Sequence, residues 1–478
     1  AVAEAMIGDQ ARSTAVAALY EAEFQTDLAH EAEGRANEAL SQAERLSRIG
    51  LAQKLASTAV GLTDERFRGE QLSRLLVAQA VRLTPEDGRD IYWLLDTALR
   101  DVLGDVLFRI ALVDEPVGGA LVSPDGRFIF AMSENFLYRW SIDGQDEPAL
   151  LFEGHTAPIA SFDISPDGSL LATGSEDDTA KIWDTEGNEL ATLAGHEAQV
   201  TFVKFTPDGK RLITGSEDGS AKIWDTEGNE LANLEGHDGS LTSIAMRPDG
   251  RQFTTTGTDG LAIMWNIDGT KRAEVKHNGP VLGAIYDPSG DTLATVSSDG
   301  ELSIWETESG KTFGHFSSVN GIRSAAFSPD GELLATTDDN FNVQLWYIFK
   351  PMRSKSLPCH DGPVTTLAFS PAGDKLASTS EDSTVCVWDV TNLASLPATF
   401  EGHFTRTNSA VFTPDASMLV TASDDGTVRT WIIDLDVMAG IACRQAERNL
   451  TIEEWETYLP DLEYELTCPD YPAPDWFE

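Results

Sequence analysis

Tryptophan returns to the same place in this chain eight times: Trp140, Trp183, Trp224, Trp265, Trp305, Trp346, Trp388 and Trp431, at intervals of 40 to 43 residues. Such a period marks one supersecondary unit repeated, each copy of which needs its neighbours to cover its apolar faces. Within a unit, apolar and polar residues alternate, as in Thr201-Phe202-Val203-Lys204-Phe205 and Ala221-Lys222-Ile223-Trp224, so the runs are strands. A Pro-Asp-Gly turn recurs ahead of the second run, as at Pro166-Asp167-Gly168 and Pro207-Asp208-Gly209. Proline presets the first central position of such a turn, and glycine accepts the left-handed position that returns the chain. The last copy, Pro414-Asp415-Ala416, lacks the glycine; the same left-handed geometry at Ala416 would cost about 1 kcal/mol, so the eighth unit is expected to close with a slightly different turn.

Four short strands per unit make a sheet too small to bury both faces alone, and radial stacking solves that. The expected fold is therefore an all-β propeller of eight four-stranded blades over residues 107–434. An α-helical region over 1–106 precedes it, and a short helical extension with an acidic tail follows over 435–478. The run Leu107–Leu112 is expected to supply the strand that completes the last blade.

Histidine, serine, aspartate and tryptophan recur in step with the blades. The sets are His155, Ser175, Asp177, Trp183; His196, Ser216, Asp218, Trp224; His277, Ser297, Asp299, Trp305; His360, Ser380, Asp382, Trp388; and His403, Ser423, Asp425, Trp431. A further set, His237, Asp259 and Trp265, has Gly257 at the serine register. A hydrolase needs one such triad, whereas a repeated fold needs one structural network per blade. The expected arrangement is carboxylate to imidazole, imidazole to serine hydroxyl, and hydroxyl to indole N–H. The sixth unit departs from the pattern, with Ser318 at the histidine register, His315 displaced and Asn340 for the aspartate; the first has Val113 and Glu134.

With the repeated Gly-His pairs at 154–155, 195–196, 236–237 and 402–403 and the Trp-Asp pairs at 183–184, 224–225 and 388–389, the chain resembles WD-repeat propellers over about residues 108–434. That resemblance implies a scaffold for protein contacts without chemistry of its own, and it places the residue before each turn aspartate on the ligand-binding rim. Those positions are Glu176, Glu217, Thr258, Ser298, Asp339, Glu381 and Asp424, with Ser133 in the first unit.

The flanks resemble the C-terminal half of bacterial STAND-type signalling ATPases and related multidomain WD-repeat proteins. The residues concerned are Leu75-Leu76-Val77-Ala78 and Leu83-Thr84-Pro85 before the propeller, and Ala442-Cys443-Arg444, Arg448-Asn449-Leu450-Thr451, Glu454-Trp455 and Tyr458-Leu459-Pro460 after it. No Gly-rich loop followed by Lys-Ser or Lys-Thr is present, so no ATPase activity is assigned to this chain.

Charge narrows the partners. There are 34 basic and 78 acidic residues, a formal net of −44, and such a field repels phosphate backbones and anionic membranes. No nucleic-acid partner, membrane contact, metal or cofactor is expected; the expected partner is a basic protein or peptide, including an upstream domain of the same polypeptide. The four cysteines show no metal spacing, and Cys386, on a strand beside Trp388, is read as a buried thiol, which with the absence of a visible signal peptide points to a reducing, cytoplasmic setting.

Residues 1 to about 62 are rich in alanine and helix formers, with Ala36, Ala39, Ala43, Leu46, Ile49, Leu55, Ala59 and Leu62 in a stripe. Such a helix is expected to lean on the propeller, on a copy of itself in a homo-oligomer, or on upstream sequence. Three functions stay open: a regulatory binding module of a larger signalling protein, a purely architectural array, and an enzyme working in the central channel. Only His30 and His315 lie outside the repeated sets.

Overall fold

The computed structural model describes residues 47–60, 68–84, isolated helical positions between 95 and 103, and 108–471 apart from short connections. The first 46 residues, most of 85–107 in the expected helical region, and residues 472–478 lie outside the described residues, as do Ser318 and 349–352. The described residues fall into two compact units. One spans Leu103–Met438, and the other combines the segments before and after it.

The first unit is a β-propeller of eight four-stranded antiparallel blades. Blade 1 runs from β2 (Gly119–Val122) to β5 (Leu150–Phe152), blade 2 from β6 (Ile159–Ile164) to β9 (Glu189–Ala194), and blade 3 from β10 (Val200–Phe205) to β13 (Glu230–Leu234). Blades 4, 5, 6 and 7 begin at Leu241, Val281, Ala325 and Val364. Blade 8 takes three strands from the end of the repeat array, Thr407–Phe412, Met418–Ser423 and Thr427–Ile432 (β32), and its fourth from the front, β1 (Phe108–Leu112). Register Phe108↔Trp431 to Leu112↔Thr427 closes the ring as the leading strand predicts.

The core lies between blades. Each of the eight seams has its own apolar cluster. At the seam of blades 2 and 3, Ala172, Ile182 and Leu193 meet Val200, Phe205, Leu212 and Trp224; at the closing seam, Val420, Ala422 and Val428 meet Val117, Ala120, Ile129 and Ala131. Burying one such aliphatic side chain contributes roughly 1.5–3 kcal/mol, so neither face of a blade is dispensable.

The Pro-Asp-Gly turns knit the ring further. Gly168 has φ +73°, and its amide donates to the Ser165 carbonyl at 2.8 Å. A β-carbon at Gly168 would sit 3.4 Å from the Pro124 ring of the preceding blade, and one at Gly126 would sit 3.6 Å from Pro414, across the closing seam. Each turn glycine here therefore serves two ends, the left-handed backbone and close approach to the neighbouring proline. Ala416 takes the same conformation, φ +58°, and its amide donates to the Thr413 carbonyl at 2.9 Å, so the eighth turn does not differ as its missing glycine suggested.

In the other unit, residues 47–60 are helical and bury Ile49, Leu55 and Ala59, and the helix Arg68–Leu83 buries Leu75, Leu76, Ala80 and Leu83. After the propeller come helices Leu435–Ala446 and Ile452–Tyr458. The second opens with a capping box formed by Thr451 and Glu454. Arg82 donates to the Leu466 carbonyl at 3.0 Å, joining the segments from the two ends of the chain. Among the described residues no helix is long and apolar enough to cross a membrane.

Candidate functional site

In six blades a histidine enters just before the first strand, and in five of them it meets the aspartate in the turn between the second and third. In blade 2, His155 Nδ1 lies 2.9 Å from Asp177 Oδ2, and Nε2 lies 2.8 Å from the hydroxyl of Thr173. The Trp183 indole donates to that same hydroxyl at 2.8 Å. A neutral imidazole has one N–H; with Nδ1 on a carboxylate the proton sits there, so Nε2 accepts the Thr173 proton while the threonine oxygen accepts from the indole.

This corrects the expected chain at its third link. The hydroxyl joining histidine to tryptophan belongs to Thr173, Thr214, Thr255, Thr295 and Thr421 in blades 2, 3, 4, 5 and 8. In blade 7, Ser378 meets His360 Nε2 at 2.7 Å. The serines two residues later do something else. Ser175 donates to the Ala157 and Pro158 carbonyls and accepts from the Asp177 amide; Ser216, Ser297, Ser380 and Ser423 likewise donate to carbonyls of the loop entering their blade. Both positions lie on one strand face, because side chains repeat with period two, but the indole reaches only the nearer. The residue ten before each tryptophan is the one that carries a hydroxyl in every blade from 2 to 8, including blade 4, where the serine register is Gly257, and blade 6, where Trp346 donates to Thr336 at 2.8 Å.

The carboxylate link is present in five blades: His155–Asp177, His196–Asp218, His237–Asp259, His360–Asp382 and His403–Asp425, at 2.9 to 3.1 Å. Blade 5 is a second correction. His277 Nδ1 faces the Glu301 carboxylate at 3.5 Å, and Asp299 accepts from the Glu301 amide at 3.2 Å. Where Glu301 stands, blades 2, 7 and 8 carry Thr179, Thr384 and Thr427, whose hydroxyls donate to their turn aspartates at 2.5 to 2.6 Å. The longer acid puts its own carboxylate at the ring. These threonines are network members that the repeated His, Ser, Asp and Trp did not reveal.

Burial lowers the pKa of His155, His196, His360 and His403, and the partner aspartates only partly offset it. For Asp177 and Asp218 burial acts against the charged form, but hydrogen bonds outweigh it and hold them at about 2; those bonds come from Thr179, the Thr156 amide and His155, and from Ser220, the Glu197 amide and His196. Neutral, buried imidazoles held between a carboxylate and a hydroxyl are joints of the fold.

The cysteines form disulfides, Cys359–Cys386 and Cys443–Cys468. The reading of Cys386 as a buried thiol is thereby corrected: the partner sits 27 residues away in sequence and was not visible from spacing alone.

The residues placed on the rim are at the tips of the turns that hold the aspartates. Glu176, Glu217, Thr258, Ser298, Asp339, Glu381 and Asp424 are all exposed. The amides of Glu176, Glu217, Thr258, Ser298, Glu381 and Asp424 donate to carbonyls of the entering loops at 2.9 to 3.1 Å, which fixes each turn beside its loop. Ser133 does not belong with them. It is buried, and its hydroxyl donates to the Pro116 carbonyl at 2.8 Å as Ser175 does to Pro158, so it matches Ser175. The first blade's hairpin is one residue shorter, and exposed Glu134, φ +50°, takes the tip. Six of the eight tips, Glu134, Glu176, Glu217, Asp339, Glu381 and Asp424, are acidic.

Beside this ring lies a residue missed in the sequence. Phe404, directly after His403, is 83% exposed, and its amide donates to Asp425. The other five blades with the entering histidine place Thr156, Glu197, Asp238, Asn278 and Asp361 there, and that break in a polar series was the available signal. The Arg429 guanidinium lies 5.8 Å from the Phe404 ring centre, and Arg406 pairs with Glu381 at 3.5 Å.

The family model for the WD domain, G-beta repeat, matches this chain at residues 147–184, 187–225, 228–266, 270–306, 307–347, 351–389 and 394–431, together more than half its length. The chain belongs to the WD-repeat family. The first blade of this WD-repeat protein, with its shortened hairpin, falls outside those seven matches apart from its last strand. Among similar proteins are the target of rapamycin complex subunit wat1 of Schizosaccharomyces pombe, 36% identical over 72 residues, which are 15% of this chain and 23% of that protein. The human serine-threonine kinase receptor-associated protein is 37% identical over 70 residues, 14% and 20% of the two chains. The Protein LST8 homolog of Drosophila melanogaster is 35% identical over 81 residues, 16% and 26%. The chain thus matches only about a fifth to a quarter of the length of these curated relatives.

Proposed function

We propose that this WD-repeat chain is a non-catalytic binding module, which holds a basic protein segment carrying an apolar side chain against the ring of turn tips. The observation that carries this is the coincidence of six acidic tips with exposed Phe404 at the loops and turns that also hold the histidine–aspartate joints. Carboxylates arranged around one opening reinforce each other's field and steer cations to it, and an exposed aromatic ring supplies the contact that charge alone does not. Two of the relatives are by name a complex subunit and a receptor-associated protein, which supports a scaffold role. Six of the eight histidines are held in structural joints, which favours binding over chemistry in the channel. In this reading the module serves a larger signalling polypeptide, as the flanks suggest, and an upstream domain of that polypeptide is a candidate for the basic partner. Both cysteine pairs are bridged, which removes the free thiols that pointed to a cytoplasmic setting.

A fluorescent peptide of alternating lysine and leucine tests the rim. Binding is compared for the intact protein, the E176Q/E217Q/E381Q variant and F404A, at about 0.05 and about 0.3 M salt. The acidic ring predicts that the triple variant loses most of the low-salt gain and that F404A weakens binding at both salts. Equal affinity of all three proteins at both salts would place the site elsewhere.

A further inference from the structure

The chain has four cysteines, and the structure leaves none free. Their positions matter more than their number. Just before the entering histidine, blades 2, 3, 4 and 8 carry Gly154, Gly195, Gly236 and Gly402. A β-carbon built on these glycines meets the third-strand side chain two residues before the blade's tryptophan: Lys181 at 3.6 Å, Lys222 at 3.6 Å, Ile263 at 3.1 Å and Arg429 at 2.6 Å. The two registers face each other in every one of these blades. In blade 7 they are Cys359 and Cys386, the only cysteines of the propeller.

The other unit repeats the logic. Its two cysteines are Cys443, in the helix Leu435–Ala446, and Cys468, whose amide donates to Asn449 at 2.7 Å, and they bond to each other. Cys386 and Cys468 are fully buried. Buried cysteines kept as small apolar thiols have no reason to fall in facing pairs once in each of two units. Bridges without a leftover thiol are the usage of oxidising compartments, where they persist, and not of the reducing cytosol.

We infer that both bridges are structural and that this protein folds and works in an oxidising compartment outside the cytosol. Each bridge forms when two thiols lose two protons and two electrons to the disulfide of a thiol–disulfide oxidoreductase, which is reduced to a dithiol. Cys359 lies in the connection from the last strand of blade 6, Arg353–Leu357, to the first of blade 7, Val364–Phe369. Its bond to the third strand of blade 7 therefore staples the exit of blade 6, the blade that has Ser318 and Asn340 where others have histidine and aspartate.

Cells that make the protein naturally are quenched in acid, denatured, and labelled with a maleimide–polyethylene glycol before and after reduction. No mass shift before reduction and four labels after it are expected, with Cys359–Cys386 and Cys443–Cys468 recovered as linked peptides. Four labels without reduction would overturn the inference, and two would overturn the bridge they map to. On the purified full chain, a thiol reductant should lower the melting temperature by about 3–5 °C, while C359S/C386S should start lower and respond less. A melting temperature indifferent to reduction would show that the bridges hold nothing.

Discussion

Thr214→Val separates the observed network from the one that the serine register suggests. Thr214 is fully buried; its hydroxyl lies 2.8 Å from His196 Nε2 and accepts from the Trp224 indole at 2.9 Å. Valine keeps the shape and leaves two buried polar groups without partners, each costing about 1–3 kcal/mol, so a loss of about 3 kcal/mol is expected. For a unit of about 330 residues the entropy of unfolding is about 0.7 kcal/mol/K, which converts the loss to a melting temperature about 4 °C lower. Ser216→Ala is the comparison. It removes a donor to the Ala198 carbonyl and an acceptor for the Asp218 amide, both local, and should cost about 1 kcal/mol. The assay is calorimetry or urea titration of the two variants under one buffer. If Thr214→Val melts within 1 °C of the parent while Ser216→Ala falls by about 4 °C, threonine is not the hub and the network is wrongly drawn.

Acidification should weaken the propeller even where about 0.3 M salt screens its net charge. His155, His196, His360 and His403 have folded pKa values below the ordinary 6.5, so the unfolded chain binds more protons; their contribution is whole above 6.5 and fades as pH falls through it towards the folded values. Asp177 and Asp218, lowered from 3.8 to about 2, add a second loss between those values, and a melting temperature that stays level from pH 7 to 5 would contradict neutral buried histidines. Gly257→Ser, which installs the residue found in the matching place of other blades, should destabilise by about 1–3 kcal/mol. A β-carbon there meets His237 Nδ1 at 2.6 Å and Asp259 Oδ1 at 2.8 Å, so an equal or higher melting temperature would show that blade 4 has room for the serine.

The blade count and the closing strand could be read from the chain because both follow from strand periodicity and turn chemistry, which are local. Ala416 marks a limit: its missing glycine suggested a different turn, yet it keeps the left-handed backbone of the other copies. The network was legible in its carboxylate, ring and indole but not in its hydroxyl. Thr173 and Ser175 share a strand face, and only the reach of the Trp183 indole chooses between them. Asp299 and Ser133 were misplaced because each depends on a single difference from the repeat, the longer Glu301 side chain in one case and a shorter turn in the other. The disulfide of Cys359 and Cys386 depends on two registers in different strands, and Phe404 matters only once its exposure is known.

The strand pair that closes the ring also sets how the propeller would respond to force. Phe108, the first residue of β1, pairs with Trp431, next to the last residue of β32, so the two flanking segments leave from the same end of one antiparallel ladder. Tension between them would load the ladder bond by bond, in the manner of a zipper, and would not shear its rungs together. Of all the contacts around the ring, this short pair is the one that a pull on the flanks would open first, and opening it would separate the front of the chain from blade 8 while the seams of the remaining blades stay intact.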